Sequence, residues 1–249
     1  MGLARFKAPG PWYSLPVRHR HSLVFTLCTF FALTACKSQP TGGAETVPPE
    51  SGAAVDSVAP EAKSAIAIYD ALEASIAAGD DSRALRDEAF AEIQGLADDG
   101  TAAYAFARAA VAGRVAEKRG LQAGGLVAEA ETWARKAIEI EADFREGAAT
   151  RMLGTLYVMA PPRMVEHGDS ETGLEILEGE VEAHPERLSG KIRLAEAYIA
   201  LGDPEPGLPH LCAALFGRES LGVLDRGLLD RLLEEAGREG ILGCAVTAP

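Results

Sequence analysis

The stretch from Leu188 to Leu221, LSGKIRLAEAYIALGDPEPGLPHLCAALFGRESL, decides the fold of this chain. Its residues are mostly helix formers, interrupted once at Gly202-Asp203-Pro204. Asp203 is the expected N-cap of the second helix, with Pro204 at the first helical position. Leu194, Ala195 and Tyr198 fall in the first helix, Gly207 and Ala214 in the second. The small residues let two helices approach closely, while Leu and Tyr fill the gap between them.

The same arrangement recurs upstream. Leu153, Gly154 and Tyr157 match Leu194, Ala195 and Tyr198 at an offset of 41. Gly168, Asp169, Gly173 and Leu177 match Gly202, Asp203, Gly207 and Leu211 at an offset of 34, so seven extra residues lie between Tyr157 and Gly168 around MAPPRMVEHG. Ala130, Ala134, Ala137 and Ala142 align in turn with Gly173, Leu177, Glu180 and Pro185 at an offset of 43. The 34-residue unit beginning at Leu188, with small residues at Ala195, Gly207 and Ala214 and Tyr at Tyr198, resembles a tetratricopeptide repeat.

Outward from there, the chain from Glu61 reads as helices with no sustained period-2 alternation. Breaks fall at Gly79-Asp80-Asp81, Asp98-Asp99-Gly100, Gly120 to Gly125, Pro161-Pro162, His184-Pro185 and Gly237. A looser helical pair spans about 62–98. Asp169 after Gly168 is a second helix start. A last helix over Leu221 to Ala236 carries Leu224, Leu228, Leu229, Leu232 and Leu233 on one side, which suits a cap. The expected fold is all-α: a tetratricopeptide-like helical repeat solenoid with a C-terminal capping helix over 61–240, then a tail over 241–249. The alternative is a non-repeating helical bundle.

The 249 residues carry 24 Lys+Arg against 37 Asp+Glu, a net charge of −13, which argues against nucleic-acid binding. The charge is uneven. Residues 1–36 hold Arg5, Lys7, Arg18 and Arg20 and no acid, leaving the rest at −17. Ser22 to Ala35, SLVFTLCTFFALTA, is uncharged. As a helix it would be about 21 Å long, too short for a bilayer core of about 30 Å. A basic start, a short apolar run and small residues at its end form a secretory signal over 1–35. Leu33-Thr34-Ala35-Cys36 resembles the bacterial lipobox, which implies that Cys36 is the lipid-carrying mature N-terminus and that Cys28 is discarded. An ordinary signal cleaved elsewhere is the alternative. Lys37 to Pro60 has four Pro, three Gly and no aromatic residue, and cannot bury enough surface to fold. Residues 36–60 are expected to be a disordered tether spanning about 25–30 Å. The expected location is the bacterial cell envelope, lipid-anchored and periplasm-facing, the outer membrane favoured over the inner.

Ala134 to Gly147, then Leu153-Gly-Thr-Leu-Tyr157, Ala160-Pro-Pro162 and Gly168-Asp169, and finally Leu188 to Tyr198, resemble a narrower family. These are the tetratricopeptide lipoproteins of tripartite (TRAP) transporters, the T-component. The resemblance covers about 125–200, with Glu166-His167 standing where a Gly is expected before Gly168. It implies association with a periplasmic solute-binding protein, contact with its hydrophobic ligand, and an accessory role in uptake rather than catalysis. Other envelope proteins use the same repeats for outer-membrane assembly or secretion.

No Walker A pattern, HExxH, GxSxG or CxxC occurs, so no enzyme activity, cofactor or metal is expected. Gly120-x-x-x-Gly124-Gly125 lacks the Lys-Ser/Thr of a phosphate cradle and is expected to connect two helices. His167, His184 and His210 lie in or beside loops, and Glu166-His167-x-Asp169 fits a solvated loop better than a metal site. Cys212 and Cys244 leave two readings open, a disulfide or one buried thiol and one near a tail. In stacked helix pairs the first helix of each pair lines the concave face. The residues expected there are Ala148, Arg151, Thr155 and Val158, then Ser189, Ile192, Glu196 and Ile199, with Arg151 placed to clamp a carboxylate. Such a face suits an envelope protein partner, or alternatively an apolar small molecule carried in the groove. Oligomeric state is left open by the sequence.

Overall fold

The computed structural model describes residues 63–238 and residue 244. The signal segment 1–35, Cys36 and the tether to residue 60 lie outside the described residues, as does the tail 241–249 apart from Cys244. Among the described residues the structure is all-helical. In chain order the helices are α1 (Ala65–Ala77), α2 (Arg83–Gln94), α3 (Ala102–Ala116), α4 (Gly124–Ile140) and α5 (Ala148–Met159). They continue with α6 (Ser170–Ala183), α7 (Leu188–Leu201), α8 (Leu208–Phe216) and α9 (Val223–Arg238). None of them is long and apolar enough to cross a membrane.

Local chemistry sets several of these starts. Ser64, Ser82, Thr101 and Asp169 each accept a hydrogen bond from the amide three residues on, at 2.9–3.3 Å, as N-caps do. At the far end of α7, Gly202 takes φ +81°, which closes that helix with a left-handed residue. The expected N-cap role of Asp203 gives way to another geometry. Its amide bonds back to the Tyr198 carbonyl, and a 3-10 turn over Glu205–Gly207 precedes α8. The α4–α5 break over residues 141–147 carries no proline and is made instead by three successive positive φ values, at Arg145, Glu146 and Gly147.

Packing follows a regular order. Helix α3 runs along α4, α5 along α6, and α7 along α8, while α1, α3, α5, α7 and α9 each touch the next odd-numbered helix. Small residues make the close approaches. A Cβ added at Gly173 of α6 would lie 2.6 Å from the Gly154 carbonyl of α5. One at Gly207 would lie 3.1–3.3 Å from Tyr198 and Ala195 of α7. The two contacts pair the same positions that overlay in sequence. Ala130, Ala134 and Ala137 of α4 are fully buried, sharing cores with Ala105 and Ala109 of α3.

Helix α9 closes the row at the C-terminal end. Leu228, Leu229, Leu232 and Ala236 cover Ile192 and Ala195 of α7 and Leu211 and Ala214 of α8. Each buried leucine contributes about 1.5–3 kcal/mol, so this helix is firmly seated. Cys212 of α8 is disulfide-bonded to Cys244, with the two Cα atoms 5.5 Å apart.

Candidate functional site

The odd-numbered helices share one face that no other helix covers between α3 and α7, and its middle is lined by charged and hydroxyl groups. Glu73 of α1 is buried and receives Arg114 of α3 in a two-pronged pair, Nε to Oε1 and Nη2 to Oε2, both at 2.7 Å. The third nitrogen of Arg114 donates to Glu117 at 3.0 Å. Glu117 also accepts from Arg86 of α2, a buried arginine held in addition by Asp81 and the Arg114 carbonyl. Burial pushes the Asp81 carboxyl up, but hydrogen bonds from Lys118 and Arg86 outweigh it and hold it below its usual value. A charge network therefore ties α1, α2 and α3 together.

On α7, Arg193 donates to Glu196 at 2.8 Å. Burial is the largest influence on Arg193 and on Arg114, although their side chains remain 29% and 24% exposed. In both, neighbouring carboxylates overcome that burial and hold the group above its usual value, so the charge is kept. Strong desolvation with residual exposure is the signature of a recess open to solvent. Between these helices Thr155 of α5 has a buried hydroxyl with no hydrogen-bond partner. Toward the other end of the face the aromatic rings of Tyr69 and Phe106 meet edge-on at 5.1 Å, and Phe106 tilts against Phe144 at 5.8 Å. Tyr69 is pushed up to about 12 by burial and then by the Glu73 charge.

The residues expected on the concave face separate into three groups. Thr155 and Glu196 lie on the open face as expected of them, with Arg193 rather than Ile192 beside Glu196. Ile192 is completely buried beneath α9, and Ile199 packs against the same core. Val158 is wedged against Leu177, Val181, Leu194 and Ala197 between α5, α6 and α7. The physical reason is the capping helix: α9 takes the 192/199 stripe of α7 and turns the neighbouring 189/193/196 stripe toward solvent. Arg151 is not free to clamp a ligand. Its guanidinium donates to the carbonyls of Glu146 and Arg145 and pairs with Glu180 at 3.5 Å, and only 14% of its side chain is exposed. It secures the left-handed turn, in which each non-glycine residue at positive φ costs about 1–2 kcal/mol. Arg145 helps repay that strain through a two-pronged pair to Asp70, both contacts at 2.7 Å.

Glu131 is a functional-looking residue that the sequence pattern passes over. It is 1% exposed on α4 and gathers four donors from the α5–α6 region. These are the amides of Glu166 and His167 at 2.8 and 2.7 Å, the Tyr157 hydroxyl at 2.9 Å and the His167 ring at 3.2 Å. Burial pushes its carboxyl up, but the two amides and the hydroxyl more than offset this and hold it below its usual 4.5. Glu131 thus binds the loop carrying the seven extra residues rather than a ligand. His210 is pushed below its usual value by burial and by Lys191. Among the described residues no group of three or more His, Cys, Asp or Glu side chains is arranged to hold a metal.

A cavity of about 460 Å³ opens where the N-terminal ends of α7 and α9 approach the α4–α5 turn. Glu146, Glu186 and Asp225 line it together with Arg187, whose guanidinium is already held by Asp143 at 2.6 Å and Glu180 at 3.4 Å. Compared with known proteins, the chain matches no family model and no curated protein.

Proposed function

We propose that the chain is a lipid-anchored helical-repeat docking module of the bacterial cell envelope. Cys36 holds it to the membrane, residues 36–60 form the tether, and the odd-numbered helices present the concave face of a tetratricopeptide-like solenoid capped by α9. The observation that carries this reading is the uncovered row of Glu73, Arg114, Thr155, Arg193 and Glu196, desolvated yet open to solvent. Arginines and tyrosines in such a setting are the residue types on which protein interfaces concentrate their binding energy. The most specific version is an accessory of a TRAP-type uptake system whose partner is a periplasmic solute-binding protein. It is a binding role without catalysis.

The test is affinity capture from envelope extract with the full chain and with Arg193→Glu. Recovery of the same solute-binding protein with the wild type, and its loss with the variant at unchanged thermal stability, is the expected result. Equal recovery with both would remove this face from the interface. Anchoring is tested separately by metabolic labelling with a fatty acid, which Cys36→Ala should abolish. A carrier of an apolar small molecule is the second reading, favoured by the Tyr69–Phe106–Phe144 cluster beside the row. Native mass spectrometry of the purified chain distinguishes it, because a carrier retains a bound mass.

A further inference from the structure

The central row of the inner face has an order of charge that its own residues leave incomplete. Helix registers bring the five contributing groups to one level. A Cβ at Gly113 of α3 would meet Met152 of α5 at 3.2 Å, and one at Gly190 of α7 would meet the Arg151 stem at 3.9 Å. One turn further along lie Thr155 on α5 and Arg193 on α7. Arg114 follows Gly113 directly on α3. The electrostatics agree with this alignment: Arg193 is repelled by Arg114 and attracted by Asp225 of α9. The row therefore reads Glu73, Arg114, Thr155, Arg193, Asp225 across α1, α3, α5, α7 and α9.

Both arginines are paired outward. Arg114 is tied to Glu73 and Glu117, and Arg193 to Glu196. Among the described residues, the Nε and Nη2 donors of Arg193 have no hydrogen-bond partner, and the Thr155 hydroxyl between the two arginines has none either. Two like charges that repel in a desolvated recess, with an unpartnered buried hydroxyl between them, are each costly unless an acceptor joins them. A planar carboxylate satisfies all three, because a guanidinium presents its donors as a fork matched to it. The outer carboxylates Glu73, Glu117, Glu196 and Asp225 repel any further negative charge, which selects against dianions and polyanions. Beside the row, half-buried Met152, Ala148, Ala110 and Tyr69 offer an apolar wall.

We propose that Arg114, Thr155 and Arg193 form a seat for one carboxylate carried on an apolar body. The ligand's oxygens take the uncommitted donors of Arg193 and the Thr155 hydroxyl, and its apolar portion lies along Met152 and Ala148. This assignment rests on the inner face being the binding face. The carboxylate belongs either to a free apolar organic acid or to the C-terminal end of a polypeptide.

Titration calorimetry on the full-length chain tests the seat with four probes. They are 4-methylpentanoate, its amide, an N-acetylated Ala-Leu-Leu peptide with a free carboxyl end, and the same peptide amidated. At least one carboxylate is expected to bind tenfold or more tightly than its amide. Binding of the acid alone assigns a free organic acid as the source, and binding of the peptide alone assigns a polypeptide end. Arg193→Gln should weaken the preferred carboxylate tenfold or more. Thr155→Val should also weaken it while leaving the thermal midpoint at or above that of the wild type, since the hydroxyl it removes has no partner in the free protein. Equal affinity for acid and amide, no binding of either carboxylate, or undiminished binding in both variants would overturn the proposal. Loss of the carboxylate preference with partner capture intact removes the seat and leaves the docking role standing.

Discussion

Removing the Glu131 carboxylate should release the 160–168 loop and lower the stability of the whole domain. In the Glu131→Ala variant the amides of Glu166 and His167 lose their acceptor, as does the Tyr157 hydroxyl. The two amides are only partly buried and recover water, so each costs about 1 kcal/mol, while the buried hydroxyl and the small void add about 1–2 kcal/mol. The total is about 3–4 kcal/mol. For a helical domain of this size each kcal/mol moves the thermal midpoint by about 2–4 °C, so a fall of about 10 °C is expected by calorimetry. Glu131→Gln keeps one acceptor but turns its amide nitrogen toward a main-chain N–H, and should cost about half as much. Acid adds a second readout. The folded chain holds Glu131 below its usual 4.5, so its stabilisation is complete above that value. It fades as the pH falls through the lowered one. Urea unfolding followed from pH 6 to pH 3 should therefore show a weaker acid limb in Glu131→Gln than in the wild type. A loss under 1 kcal/mol in Glu131→Ala, or identical acid limbs, would refute the reasoning.

Gly173→Ala should destabilise by about 2–3 kcal/mol, measured by urea midpoint, because its Cβ would lie 2.6 Å from a backbone oxygen that cannot yield. Gly217→Ala meets only the flexible end of Leu188 and should cost clearly less in the same assay. Reducing the Cys212–Cys244 bond, which closes a sequence separation of 32, should cost at most about 3–4 kcal/mol, read from the thermal midpoint with and without reductant. Tyr198, like Tyr69, is pushed up to about 12, in its case by burial and by its hydrogen bond to Glu178. An absorbance titration should show two tyrosines ionising late. The stabilisation they bring is present below pH 10 and lost as the pH rises through about 12.

The sequence exposes the helical pairs because their signals are local. Gly-Asp and Pro-Pro breaks, caps such as Asp169, and the small-residue overlay of Gly154 with Ala195 and Gly173 with Gly207 all depend on neighbours along the chain. The α4–α5 break is less visible, since Phe144-Arg145-Glu146 is helix-compatible and is bent only by tertiary pairing of Arg145 with Asp70 and of Arg151 with the turn carbonyls. The binding face is legible to within one residue of helical phase. Ile192 and Arg193 are neighbours in sequence, and which one faces solvent is decided by where α9 lands. Arg114 sits in an alanine-rich helix with no repeat partner in the overlay, so only the Glu73 contact gives it away. Glu131 is similarly hidden among the many acids of α4, distinguished only by donors 26 to 36 residues away.

Seen as a matter of length, the Glu131 clasp makes the 160–168 segment a ruler. Two consecutive main-chain amides must arrive together at one carboxylate on α4, while Gly168 passes so close to the Tyr157 ring that a Cβ there would lie 2.4 Å from it. A residue added or removed between Pro161 and Glu166 would carry both amides off the carboxylate and strand a charge in the interior. Surface loops usually drift in length with little penalty. This one has a fixed count, and any relative that keeps Glu131 and Tyr157 must keep the count as well.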